Sequence, residues 1–232
     1  MERRLSQVRK SLFFSLIFLT SLLAAQTPSV VRNIRIPLWA EIDAYPELED
    51  AQNLEAEEYS YPIKSLKELA PFIITGMVYG WNFVYTPSDK LRNVEEYLEI
   101  TEIFPSENLK NEITYDSPWL ENSRLNCWCL YQRNDVQVQN YYLWSSIQNP
   151  VIHGRGKGNL EDGFEGIRNA AYDALKNAVR SHYRNVIKNK PKQITGSVLI
   201  SSSPTLGIDA GKYVINLDFF LEYDKIIQYK VY

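Results

Sequence analysis

Gly154, Gly156 and Gly158 alternate with His153, Arg155 and Lys157, just ahead of a long stretch rich in alanine. In an extended strand this alternation puts the glycines on one face and the basic residues on the other. A strand face of bare glycine invites close approach by another backbone. The next segment supplies that partner. Phe164, Ile167, Ala171, Ala174, Leu175, Ala178 and Val179 recur at helical spacing, with Ala170 beside them and His182, Val186 and Ile187 further on. The spacing predicts a helix over 164–188 whose alanines pack on the glycine strand. Asp162 and Glu165 have the spacing of a capping box. Lys188, Lys190 and Pro191 suit the helix end. A glycine-rich approach to a helix can also cradle an anion. Here the spacing is that of neither a P-loop nor a dinucleotide fingerprint. Glu161 and Asp162 also stand where an anion would sit. The packing reading fits better.

Strands are expected on both sides of this unit. In the first half they cover 30–39, 72–86, 94–104 and 113–115. Over 72–86, Tyr79, Trp81, Phe83 and Tyr85 fall on one face by the period of two. A short helix over 65–70 is closed by Pro71. Strands at 125–132 and 136–145 are joined by a hairpin turn at Arg133-Asn134-Asp135. Strands at 193–202 and 212–223, with a last edge strand over 226–232, finish the chain. The fold class is therefore α+β, rich in antiparallel strand, with one long helix packed on a sheet. Two α+β units are expected, at 26–115 and 116–232. Ile74-Thr75-Gly76-Met77-Val78 and Ile194-Thr195-Gly196-Ser197-Val198 share a short pattern. With the matching order of elements, it suggests a duplicated β-α-β-β unit.

The first 25 residues read as a secretory signal peptide. Arg3, Arg4, Arg9 and Lys10 precede an uncharged apolar run over 11–25, which ends in Ala24-Ala25. The run is about 15 residues, short of the roughly 20 that span a bilayer. Periplasmic export is expected, with secretion as the alternative. Removing this leader takes the formal net charge from −3 to −6, which argues against general polyanion or nucleic-acid binding. Charge is also split along the chain. Glu41 to Glu58 holds eight acids and no base, whereas Arg155 to Lys192 holds nine bases and four acids.

Gly154, Gly156, Ala170, Ala171, Ala174 and Ala178, followed by strands at Ile194 and Tyr213, resemble one group of exported bacterial domains. These are the small α+β domains of flagellar assembly protein T and of related envelope lipoproteins. The resemblance covers roughly residues 136–223. It implies an envelope protein that assembles or scaffolds rather than catalyses. The chain lacks the lipoproteins' attachment cysteine after its apolar run.

Binding chemistry is expected on the helix. Lys176, Arg180, Arg184 and Lys188, four apart, form a basic stripe that Arg168 precedes. Such a stripe is either a solvated face or a dock for an acidic partner or anionic envelope polymer. The acidic stretch at 47–58, in the same chain or a second copy, is the nearest match. Self-association or an envelope partner is therefore expected, with membrane contact only through the leader or that partner. Tyr79 and Trp81 would stack on sugars if their strand face were exposed. Cys127 and Cys129 project to one face of a strand, at the edge of bridging distance. They read as free thiols or a strained local bridge. No metal or cofactor site is expected. With two histidines, His153 and His182, far apart in sequence, an envelope hydrolase is the least supported reading.

Overall fold

A computed structural model of the chain describes residues 29–42 and 59–229. The expected signal peptide and most of the acidic stretch lie outside the described residues. The architecture is α+β. After a helical turn at Ser29–Arg32, the strands run β1 (Asn33–Glu41), β2 (Trp81–Thr86), β3 (Tyr97–Glu102), β4 (Thr114–Glu121), β5 (Arg124–Gln132), β6 (Val151–Asn159), β7 (Gln193–Ile200), β8 (Thr205–Asp209) and β9 (Lys212–Ile227). The helices are α1 (Ser60–Val78), α2 (Asp135–Trp144) and α3 (Gly163–Val186). Both sheets are antiparallel. The small sheet has the order β1-β5-β4, and the large one β3-β2-β7-β9-β6, with β8 also paired to β9.

The glycine strand and the alanine helix meet as expected. A Cβ built on Gly154 would overlap the carbonyl of Ala174, one on Gly156 that of Ala170, and one on Gly158 that of Gly166. Helix α3 also covers the backbone of β6. Asn177 Nδ2 donates to the Arg155 carbonyl at 2.8 Å, and the Lys157 N–H donates to Asp173 Oδ2 at 3.1 Å. An edge strand that could recruit another chain is thereby partly satisfied from within. On the outer side, His153 stands opposite Asp218 in register, and Lys157 reaches Asp209 at 3.2 Å.

Three local expectations are corrected. Residues 72–78 are helical, the buried end of α1, with Pro71 inside the helix rather than closing it. The run Leu69–Val78 is buried throughout and, Thr75 apart, has no polar side chain, so it carries no helical stripe. The first Ile-Thr-Gly-x-Val is thus helix while the second is strand β7. The order β-α-β-β does recur as β1-α1-β2-β3 and β6-α3-β7-β8/β9. However, β1 pairs with β5 in the small sheet, so the pairing does not recur. Residues 136–145 form α2, not a strand. Asn134 Oδ1 accepts from the Gln137 N–H at 2.9 Å, and Gln137 Oε1 accepts from the Asn134 N–H at 2.9 Å. This capping box starts a helix where a hairpin turn was expected. Finally, the expected edge strand at 226–232 is, as far as Ile227, the end of β9.

Strands from both sides of position 115 share both sheets, through the β1–β5 and β2–β7 pairings. Their buried side chains form one main cluster, from Ile34 and Leu38 through Trp81 and Phe83 to Leu175 and Phe219. Gly80, at φ +81°, makes the turn from α1 into β2, where a Cβ would strike the Val198 carbonyl.

Candidate functional site

The last turns of α3 overlook an open groove of about 240 Å³. Its wall is Arg180, Tyr183 and Arg184, and its far side is the chain leaving the helix, Ile187 to Pro191. Tyr85 of β2 closes it together with Ser88 and Glu96 of the β2–β3 connection. The helix ends at Val186, and Ile187 has extended backbone angles. Lys188 therefore leaves the helical stripe and joins the groove from the following segment. Lys190 joins it there and donates to the Ser88 carbonyl at 2.6 Å.

Arg180 anchors the floor. Its guanidinium grips Glu96 at two points, Nε donating to Oε1 at 2.7 Å and Nη2 to Oε2. Tyr85 Oη donates to the same carboxylate at 2.6 Å. Burial works against the Glu96 charge. The bonds from Arg180 and Tyr85 outweigh it and hold the carboxyl below its ordinary range. Tyr85, buried and facing that carboxylate, is pushed up to about 12. Arg184 and Lys188 are exposed and make no ion pair among the described residues. Four cations thus line the groove with one carboxylate, leaving it positive in a chain whose net charge is negative.

The other predicted residues lie elsewhere. Lys176 pairs with Asp173 at 2.8 Å along the helix. Arg168 pairs with Glu165 near the start of α3, beside a separate pocket that holds Glu68, Glu102 and Glu107. The aromatic face is corrected as a sugar platform. Trp81 is 0% exposed and stacks on Phe72 at 5.1 Å. Phe83 and Tyr85 share its buried face. Tyr79 caps α1, stacks on Phe104 at 4.3 Å and accepts from Gln137 Nε2 at 2.9 Å.

Cys127 and Cys129 are free thiols, both buried. Burial pushes Cys129 up to about 12. His153 Nδ1 meets Asp218 Oδ1 at 2.6 Å, and Ser202 Oγ donates to Asp218 Oδ2 at 2.8 Å. Those bonds hold Asp218 below its usual range, the His153 bond most strongly. The carboxylate stands between hydroxyl and imidazole, the reverse of the order that activates a serine. His182 is half-buried, edge-on to Tyr183, with its pKa lowered by burial. Among the described residues no group of three or more His, Cys, Asp or Glu is placed to hold a metal ion. No helix among them is long and apolar enough to cross a membrane.

A protein-family model matches residues 21–229. An uncharacterized protein of Treponema pallidum (strain Nichols) is 30% identical over 199 residues, covering 86% of this chain and 83% of the relative. No solved structure matches.

Proposed function

We propose that this chain, which belongs to the family whose model spans its residues 21–229, is a non-catalytic exported envelope protein. It docks an acidic protein segment in the groove at the end of α3. The observation that carries this reading is the clustering of Arg180, Arg184, Lys188 and Lys190 around one cleft, with Glu96 the single acid lining it. Arg180 is fixed by Glu96, whereas Arg184 and Lys188 have no ionic partner among the described residues. A fixed cation beside free ones gives a preset surface for carboxylates, and charge complementarity of this kind sets partner choice and on-rate. The basic–apolar–small order of residues 1–25 supports export to the periplasm. A part in assembling an envelope structure, a flagellar one included, is the role in keeping with these features.

The experiment is cross-linking in the native cells from a photoreactive residue at position 188, with the captured peptide sequenced. The reading expects an acidic segment of an envelope protein or of a second copy of this chain. Capture of a non-protein anionic polymer would favour the polymer-binding alternative, which would use the same cations. Capture of neutral or basic segments would refute both.

A further inference from the structure

A second cavity, also of about 240 Å³, lies where the small sheet, α1, α2 and the loop after β7 meet. Asn33, Arg133, Tyr141 and the run Ser201-Ser202-Ser203 are among its lining residues. Arg133 is 4% exposed. Nη1 donates to the Val31 carbonyl at 2.7 Å and Nη2 to the Met77 carbonyl at 2.9 Å. The guanidinium carbon lies 4.6 Å from the centre of the Tyr141 ring. Its Nε is buried without a partner. No carboxylate among the described residues pairs with it. Asp135, two residues along, is held by Arg32 at 2.5 Å, and Asp218 by His153 and Ser202.

A buried guanidinium with no counter-ion is unusual, because desolvation opposes the charge and carbonyl dipoles compensate it only in part. Two of its five N–H donors are committed, and the fork geometry of the rest suits a planar or tetrahedral oxyanion. Ser201, Ser203 and Asn33 add hydroxyl and amide donors around the same space, the Ser202 hydroxyl being committed to Asp218.

We propose that this cavity binds a small free oxyanion, phosphate or a short-chain carboxylate, with Arg133 supplying the charge and Ser201 and Ser203 hydroxyl donors. The site is separate from the groove on α3 and stands whether or not that groove docks a partner. The test is calorimetric and thermal titration of the full chain with inorganic phosphate, sulfate and malonate, each against chloride at equal ionic strength. All titrations are made in an Arg184→Glu/Lys188→Glu background, which removes the groove as a competing site. At least one oxyanion should bind saturably and raise the melting temperature, and the strongest names the class. Arg133→Lys should weaken it about tenfold or more, since a point charge replaces a fork. Ser203→Asp, which brings a carboxylate to the cavity, should raise the melting temperature in oxyanion-free buffer and abolish the response. A chain that responds no more to any of the three than to chloride overturns the proposal. Unchanged binding in both Arg133→Lys and Ser203→Asp does the same.

Discussion

Arg180 and Glu96, 84 positions apart in the chain, form a two-point ion pair that ties α3 to the segment entering β3. The pair has two consequences of opposite sign. It holds the fold, and it cancels one positive charge of the groove.

Glu96→Gln should therefore destabilise the protein while tightening its grip on an acidic partner. The expected loss is about 1–2 kcal/mol at neutral pH, the range for a partly exposed charge-assisted pair. Glu96 has a folded pKa below its ordinary 4.5. Its contribution is thus complete above pH 4.5 and lost as pH falls through the folded value. Denaturation midpoints of wild type and variant should differ at pH 7 and converge in acid. A midpoint difference that does not shrink in acid would remove the charge from the account.

Gly156→Ala tests the packing of β6 on α3. The added methyl would overlap the carbonyl of Ala170 in the helix backbone, so neither side can yield without a shift of the whole helix. A loss of about 3 kcal/mol or more is expected, at or beyond the upper end for overpacking. Gly207→Ala is the control. Nothing lies within 4 Å of its Cβ position, and the change should stay within about 0.5 kcal/mol. Urea denaturation of the two variants reads both values.

The cysteines predict alkaline behaviour. Cys127 and Cys129 are buried thiols, so a disulfide reagent should label neither in the native protein and both after unfolding. Burial raises Cys129 from 9.0 to about 12, and buried Tyr183 and Tyr213 also ionise later than free tyrosine. For a group raised on folding, stability is intact below the unfolded pKa and is lost as pH climbs toward the folded one. Melting temperature should fall steadily above pH 9, with a shallower fall in Cys129→Val.

The readable parts of this fold are those where spacing and burial agree. The glycine strand β6, helix α3 and the paired strands β7 and β9 follow from local periodicity. Helix α1 does not, because Leu69–Val78 is buried on every side and a uniformly apolar run has no period to detect. Helix α2 hid behind the alternation Val136-Gln137-Val138-Gln139. Its Asn134-x-x-Gln137 capping box carries the signal that corrects it. The groove was half legible. Arg180 and Arg184 follow from four-residue spacing, whereas Lys190 and Glu96 arrive by tertiary contact. Arg133 gave no signal at all, since its burial depends on β1, α1 and α2 converging.

The groove's role is tested most directly by comparing photo-cross-linking from position 190 in wild-type and Arg184→Glu/Lys188→Glu cells. The account predicts a discrete product in the wild type, mapping to an acidic protein segment, that is lost on charge reversal and weakened by salt. The same product at the same yield in the charge-reversed protein would contradict it.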